Sequence, residues 1–427
     1  MKKFLSLITM ILFIILNIPV SHAETLDIAA PSYMLLDLNS GQVLYEKDSN
    51  QKLYPASTTK IMTAILALET GKLDQVMTAS KKAIDPGKGG MNIGIMEGEK
   101  LTLEDLLHAL LIKSANETAN IIAENIAGST EDFVEMMNKK AGEIGAVNTH
   151  YVNTNGMHDD NHYTTVSDMA KISLYAMKNK DFKRIVAKSK YDMTPTNKHS
   201  KWDTLYTTNK LFYYKSDLFS EITGIKTGYT SKAGHNLVSS AKNKEGVELV
   251  AIVFGVKSIA SATNVYSLSE KLLEYGFKNF SIQQFAKADE QVKKITVTDA
   301  KDDGYLELIT SDSLSALLPN DENLHNIEEN VKFTMTDVKA PVKKGDIMGY
   351  IEYKRQGIPL GKINIIASRN VEKSFKAEVR DDVKAFISSP LLKRIIIGIV
   401  ITLVSFIILR IVLKKISRAS RLRRYRS

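Results

Sequence analysis

The run Ile61-Met62-Thr63-Ala64-Ile65-Leu66-Ala67-Leu68 constrains this chain more than any other stretch. Its residues suit a helix, and a helix that is apolar all round is a buried one. The domain that holds it must therefore wrap other elements around it. Immediately before it stands Tyr54-Pro55-Ala56-Ser57-Thr58-Thr59-Lys60. A helix starting at about Ser57 and stopped by Gly71 places Ser57 and Lys60 on its first turn, three residues apart and on one face. Serine attacks well only when a base takes its proton. A lysine one turn on, at the mouth of a buried helix, is a candidate for that base if its amine is neutral.

The two ends of the chain set its expected topology. Residues 1–23 read as an export signal: Lys2 and Lys3, an apolar run from Phe4 to Val20, and Ser21-His22-Ala23 as a cleavage site. Residues 391–413 read as a transmembrane anchor; Ile395 to Leu413 is apolar except for Arg410, which must snorkel to the interface. The basic tail, residues 414–427, is expected to stay cytoplasmic, which puts the intervening chain on the extracytoplasmic face of the cell membrane. The formal charge of +9 follows mostly from these ends. The signal carries two lysines and residues 391–427 carry ten Lys or Arg and no acid, which leaves −3 for the exported part. A nucleic-acid footprint would be a basic stripe on the folded domain, and none is seen. There is no cysteine, which excludes thiolate catalysis and cysteine metal sites.

Between the ends the pattern changes once. Residues 32–37 and 42–46 flank Leu38-Asn39-Ser40-Gly41 as a β-hairpin. Residues 85–98 hold Pro86, Gly87, Gly89, Gly90, Gly94 and Gly98 and form a loop, either a lid over a cleft or a plain surface loop. Thr102-Leu103-Glu104-Asp105 is a capping box for a helix to about Lys113. The chain breaks at Ser114-Ala115-Asn116, and a helix follows from Glu117 to Ala127. Thr130 is expected to cap a helix through Lys140, and Ser167 one to Met177. Residues 153–165 read as a polar loop. Residues 224–230, 236–241 and 247–256 read as consecutive antiparallel strands, and residues 259–275 as a helix stopped by Gly276. This is an α/β domain, residues 24–278, with an antiparallel sheet. Residues 279–372 read as a small all-β domain with strands near 292–297, 305–309, 331–335, 347–353 and 361–366, and turns at Asp303-Gly304, Lys344-Gly345 and Gln356-Gly357. Residues 373–390 form a polar stalk, partly helical.

Ser-x-x-Lys occurs three times, at Ser49, Ser57 and Ser239, and only Ser57 opens a buried helix. Ser-x-Asn occurs at Ser114-Ala115-Asn116, in the break between helices, and at Ser368-Arg369-Asn370. Lys-Thr-Gly occurs once, at Lys226-Thr227-Gly228, on a strand. Taken in order, Ser57 to Lys60, Ser114 to Asn116 and Lys226 to Gly228 make the signature of penicillin-recognising serine enzymes. The chain resembles the low-molecular-mass penicillin-binding proteins, the serine-type D-alanyl-D-alanine carboxypeptidases. Ile112-Lys113-Ser114-Ala115-Asn116-Glu117, Gly224-Ile225-Lys226-Thr227-Gly228-Tyr229-Thr230 and the segment from Asn155-Gly156-Met157-His158-Asp159 to Thr165 share the likeness, which covers roughly residues 28–370. The resemblance implies the β-lactamase-like transpeptidase fold, a β-rich second domain and a C-terminal membrane attachment.

The same resemblance implies roles. Ser57 attacks the bond between two D-alanines, with Lys60 as base and Lys226 as the nearby cation. Ser114 relays a proton to the leaving D-alanine, and Asn116 binds the substrate backbone. Lys226 and Thr227 receive the terminal carboxylate. The N–H groups of Ser57 and Tyr229 form an oxyanion hole, and Gly228, the last residue of the motif, lines the substrate-binding edge beside them. The substrate is then a peptidoglycan stem peptide and β-lactams are covalent inhibitors; no cofactor is implied. Two competing readings are a β-lactamase, which lacks an expected Glu-x-x-Leu-Asn stretch between Ser114 and Lys226, and an idle wall-binding scaffold, which has no use for the full motif set. His158 and His162 sit four apart with acids between them, but on a loop rather than on one helix face, which suits cleft lining better than a metal. His108, His235 and His325 read as isolated structural or solvated side chains. Glu69, Glu104 and Glu117 fit helix ends and faces.

Overall fold

The computed structural model describes residues 26–85, 90–321, 325–335, 337–355 and 357–424, with side chains to residue 418. The expected signal, Pro86, Gly87 and Gly89 of the glycine-rich loop, Gln356 of one expected turn and the last three residues of the basic tail lie outside the described residues. The chain forms two compact units. The first runs to Ile282 and takes back a short segment beginning at Leu317; the second holds Gln283–Ala316 and the chain from His325.

The first unit is built on five strands, β1 (Ser32–Asp37), β2 (Val43–Lys47), β3 (Glu221–Thr230), β4 (Gly234–Lys242) and β5 (Glu248–Val256). Their order is β2-β1-β5-β4-β3, antiparallel throughout, with Tyr33 opposite Val253 and Lys226 opposite Val238. The central β5 is buried at every position because both faces of the sheet are covered. Val250, Ile252 and Phe254 pack into the helical layer with Ile61 and Met62. Leu249, Ala251 and Val253 pack on the other face with Leu268 and Leu272. The helical layer surrounds α1 (Lys60–Thr70), which is buried from Lys60 to Ala67. Each large apolar side chain buried there contributes about 1.5–3 kcal/mol, so an acidic residue at Ile65 would undo the layer.

Around α1 lie α2 (Leu103–His108), α3 (Asn116–Ala127), α4 (Thr130–Ile144), α5 (Val166–Met177) and α6 (Lys180–Val186); α7 (Val265–Asn279) covers the opposite face of the sheet. Several boundaries correct the sequence reading. The helix expected from Ser57 begins at Lys60, and Ala56–Thr59 instead form a 3-10 turn in which the Thr58 N–H and hydroxyl both donate to the Pro55 carbonyl. Ser129 rather than Thr130 caps α4, and Thr165 rather than Ser167 caps α5, because each hydroxyl accepts from the N–H three residues on. The helix expected from residue 103 to 113 is α-helical only to His108, then widens into a π turn, Ala109–Lys113. Residues 259–264 are not helical; Asn264 caps α7, accepting from Tyr266 and Ser267. Gly276 does not stop that helix. A Cβ there would lie 2.5 Å from Leu249 and 2.9 Å from Leu35, so the glycine lets α7 press onto the sheet.

The second unit holds β6 (Gln291–Thr296), β7 (Tyr305–Thr310), β8 (Ile327–Phe333), β9 (Ile347–Arg355) and β10 (Ile358–Ala367), in the order β6-β7-β10-β9-β8 around a core that includes Leu306, Ile351, Ile363 and Ile365. The strand expected near residues 331–335 starts and ends earlier, at Ile327 and Phe333. Two strands, Phe280–Ala286 and Leu314–Pro319, escape the sequence reading because Ser281, Gln283 and Gln284 break the apolar alternation in the first. The segment expected as a stalk holds α8 (Phe375–Ser388), and α9 (Pro390–Arg424) follows after Ser389. Among the described residues α9 is the one helix long and apolar enough to cross a membrane, with a mean hydropathy of 2.9 over its most apolar window.

Candidate active site

Three pieces of chain meet at the end of the sheet beside α1. The 3-10 turn brings Ser57 and, one residue past the turn, Lys60. The π turn ends at Ser114 in the left-handed conformation (φ 66°), which redirects the chain so that Asn116 can begin α3. The edge strand β3 brings Thr227, Gly228 and Tyr229. Together they line a cleft of about 650 Å³. Every motif residue named from the sequence is thus at or directly behind one cavity. Lys60 and Lys226 are buried behind its wall, and Tyr229 stands at its rim, 59% exposed.

Lys60 is fully buried and its Nζ has three partners: Ser57 Oγ at 2.9 Å, Asn116 Oδ1 at 2.7 Å and the Asn155 carbonyl at 2.7 Å. The last two can only accept. A neutral amine has two N–H groups and one lone pair. Spending both N–H groups on Asn116 and Asn155 leaves the lone pair facing the Ser57 hydroxyl. Burial drives the Lys60 amine well below the usual lysine range; the Lys226 charge pushes the same way, and Glu117 opposes them. Burial also pulls Lys226 down to about 7, and its Nζ donates to the Thr227 carbonyl at 3.1 Å.

Two glycines keep Ser57 accessible. A Cβ at Gly228 would sit 2.8 Å from the Pro55 carbonyl and 3.1 Å from the Ser57 nitrogen. A Cβ at Gly156, whose φ is +86°, would sit 1.9 Å from the Ala56 carbonyl. The cleft therefore runs along the backbone of Ser57 with the edge of β3 on one side.

Sequence reasoning missed several residues of this region. Thr208 and Thr227 share a 2.6 Å hydroxyl–hydroxyl hydrogen bond at the cleft wall. The Asn236 amide donates to the Tyr54 and Pro55 carbonyls and fixes the turn that carries Ser57. The Thr63 hydroxyl donates to the Thr154 carbonyl at 2.6 Å and ties α1 to the loop that supplies the Asn155 carbonyl. A single threonine inside an otherwise apolar helix was the available signal for that last contact. Glu117 stands at a helix end, in the first turn of α3, but it is not solvated: it is 2% exposed, accepts from the Ile93 N–H at 2.6 Å, and burial raises its carboxyl. His235 is not isolated either; its ring stacks on Tyr229 at 4.4 Å in the cleft. His108 is buried and stacked on Tyr191, 3.6 Å between ring centres.

His158 and His162 go separate ways. His158 lines the cleft, edge-on to Tyr54. His162 is buried; its Nδ1 accepts from the Val152 N–H, so its Nε2–H donates to the Thr59 hydroxyl at 2.8 Å, and burial lowers it to about 4. Of the glycine-rich loop, Gly90 and Met91 line the cleft, and the Met91 carbonyl accepts from the Asn116 N–H at 2.7 Å.

A serine–lysine pair at the foot of a buried helix, facing a Ser-x-Asn turn and the Lys-Thr-Gly edge of an antiparallel sheet, defines a penicillin-recognising serine enzyme. Residues 19–258 match the peptidase S11 family, D-alanyl-D-alanine carboxypeptidase, and residues 280–373 match the C-terminal domain of penicillin-binding protein 5. D-alanyl-D-alanine carboxypeptidase DacF of Bacillus subtilis is 30% identical over 387 residues, 88% of this chain and 96% of that protein. D-alanyl-D-alanine carboxypeptidase DacC of Escherichia coli is 28% identical over 381 residues, 84% and 90% of the two chains. The crystal structure of penicillin binding protein 5 from Haemophilus influenzae superimposes with a TM-score of 0.62 at 25% identity, covering 81% of this chain and 98% of that one. The chain belongs to the serine-type D-alanyl-D-alanine carboxypeptidase family of low-molecular-mass penicillin-binding proteins.

Proposed function

We propose that this enzyme removes the terminal D-alanine from peptidoglycan stem pentapeptides through an acyl-enzyme on Ser57. Ser57 Oγ attacks the carbonyl of the penultimate D-alanine while its proton passes to the Lys60 lone pair. The N–H groups of Ser57 and Tyr229 receive the oxyanion that develops. The C–N bond then breaks, and the proton returns through Ser114 to the amine of the departing D-alanine. Water hydrolyses the ester, with Lys60 again as base. Asn116 holds both Lys60 and the substrate backbone. Thr227, backed by Thr208 and the Lys226 charge, takes the terminal carboxylate. A β-lactam acylates Ser57 in the same way but keeps its leaving amine tethered, so the ester persists.

The observation that carries this reading is the set of three partners on Lys60, two of them obligate acceptors, which reserves the lone pair for Ser57. Its test is covalent labelling by a fluorescent penicillin together with D-alanine release from a pentapeptide. Both activities should vanish in Ser57→Ala. Labelling or release that survives this change refutes the assignment of the nucleophile.

The same reading places the enzyme outside the cell membrane, exported by residues 1–23 and held by a single span in α9. The apolar stretch of α9 from Ile395 to Leu413 is about 28 Å long at 1.5 Å per residue, close to the thickness of a bilayer core. Seven of the basic residues at this end follow Arg410, and only Lys393 and Arg394 precede the apolar stretch, which favours a cytoplasmic tail.

A further inference from the structure

The described end of the glycine-rich loop lies on the first turn of α3. A Cβ at Gly90 would sit 2.4 Å from Asn116 Nδ2, so the loop backbone rests on the Asn116 side chain. The Met91 carbonyl accepts from the Asn116 N–H at 2.7 Å, and the Ile93 N–H donates to Glu117 Oε1 at 2.6 Å. Two consecutive residues of α3 are thus pinned to one stretch of loop. The result is a carboxyl sealed from water, 2% exposed, one residue past a hydrogen-bond partner of Lys60. Among the described residues Glu117 Oε2 is buried and has no hydrogen-bond partner. Holding the loop needs one acceptor, which an amide oxygen supplies as well. A buried acid with an unpaired oxygen is costly, so its charge needs a reason of its own.

We propose that Glu117 is a positioning residue for the proton that Lys60 carries: its carboxylate is the counter-charge to the ammonium formed when Lys60 takes the Ser57 proton. This role rests on the reading of Lys60 as the base. As the bond from Ser57 Oγ to the carbonyl carbon forms, the carbonyl electron pair moves onto oxygen, and the Oγ proton passes to the Lys60 lone pair. Lys60 then becomes a second cation beside Lys226, inside the protein. The charged groups that bear on it come from two elements: Lys226 on β3 disfavours the ammonium, and Glu117 on α3 favours it. Lys60 is the charged group that bears on Glu117 in turn; with the N–H groups of Ile93 and Gly94 it favours the carboxylate, against the burial that raises the carboxyl. The positive end of the α3 dipole favours the carboxylate too. Glu117 does not line the cleft, so it acts through Lys60. Burial and Lys226 keep the amine free to start the reaction, and Glu117 keeps it basic enough to accept the proton.

The full chain in detergent would be acylated by a fluorescent penicillin from about pH 5 to about pH 10, and the second-order rate followed. Glu117→Gln keeps the shape and the acceptor for Ile93 and removes the charge. The Lys60 amine is then freed at lower pH but takes a proton less readily. The acid limb of the profile should move down by about one pH unit, and the plateau should fall about 3-fold. A slower enzyme whose acid limb is unmoved, or moved up, overturns the proposal. Glu117→Asp keeps the charge on a shorter arm, and it carries the test should Glu117→Gln not fold. Its Tm should drop with the loss of the Ile93 bond, while its acid limb stays within about half a pH unit of wild type. An acid limb that moves down by about one unit in Glu117→Asp overturns the proposal as well. Lys60→Met separates the two readings. If it acylates at the wild-type rate, Lys60 is not the base and both fall. If it is inactive while Glu117→Gln leaves the limb in place, only the role of Glu117 falls.

Discussion

Asn116 gives the most decisive test of the catalytic argument. Its Oδ1 accepts an N–H of Lys60 at 2.7 Å. Asn116→Asp keeps the shape and replaces that neutral acceptor with a carboxylate. A carboxylate favours the ammonium form of its neighbour. At 2.7 Å and an effective dielectric of ~20 the attraction amounts to about 6 kcal/mol. Desolvation of the new carboxylate offsets part of this. Half of it still favours the ammonium on the order of 100-fold. Lys60 then keeps its proton near neutral pH and Ser57 loses its base. The assay is the second-order rate of acylation by a fluorescent penicillin, followed from about pH 6 to about pH 10. The rate near neutrality should fall ~100-fold, and should recover only as pH rises into the ordinary lysine range. Asn116→Ala makes the contrast: it leaves one buried N–H of Lys60 unpaired at a cost of ~1–3 kcal/mol, roughly 5- to 150-fold in rate, without the alkaline displacement. If Asn116→Asp acylates at the wild-type rate near neutrality, with an unmoved pH profile, Lys60 is not the base.

Gly156→Ala forces a Cβ against the Ala56 carbonyl at a positive φ, so ~1–3 kcal/mol of stability should be lost, at roughly 2–4 °C of Tm per kcal/mol. Calorimetry that finds an unchanged Tm refutes the close approach at the Ser57 turn. Thr208→Val removes the hydroxyl partner of Thr227, and KM for a D-alanyl-D-alanine peptide should rise about 2–10-fold with little change in Tm; an unaltered KM removes Thr208 from carboxylate binding. Lys226 is lowered in the fold to about 7, so between about pH 7 and about pH 10 the unfolded chain binds more protons than the folded one. Stability should therefore rise with pH across that window, and Lys226→Met should flatten the rise in denaturant titrations. His162 is lowered to about 4, so its contribution is complete above about pH 6.5 and is lost as pH falls toward about 4, by up to ~3 kcal/mol; a His162→Asn variant that is as acid-sensitive as wild type would exclude this residue as the cause.

The elements that were legible in the sequence are those whose signal is local. Gly128 closes α3 in the left-handed conformation, as a glycine after a helical run should. Thr102 caps α2, accepting from the Asp105 N–H as the capping box implied. Strand β5 is apolar from Leu249 to Phe254 and proved buried on both faces. The errors fall where local signals compete. Ser129 and Thr130 can each cap α4, and so can Thr165 and Ser167 for α5; the backbone turn that precedes each helix decides which hydroxyl reaches the free N–H. Gly276 looked like a helix stop because a glycine weakens a helix, but here close contact with Leu35 and Leu249 requires the missing Cβ.

What the sequence determined by itself is the chemistry and its order along the chain: a serine one turn from a lysine before a helix that has to be buried, then Ser114 to Asn116, then Lys226 to Gly228. Those features depend on residue type and short spacing, which a linear reading preserves. What only the tertiary structure decided is the state of that chemistry. The second acceptor that orients Lys60 is the backbone carbonyl of Asn155, 95 positions away, and a backbone carbonyl has no residue type to read. The hydroxyl behind Thr227 belongs to Thr208, and the burial that lowers the Lys60 amine is supplied by the helices packed around α1. Each of these is a contact between segments far apart in the chain, fixed by how the layers pack and by no residue on its own.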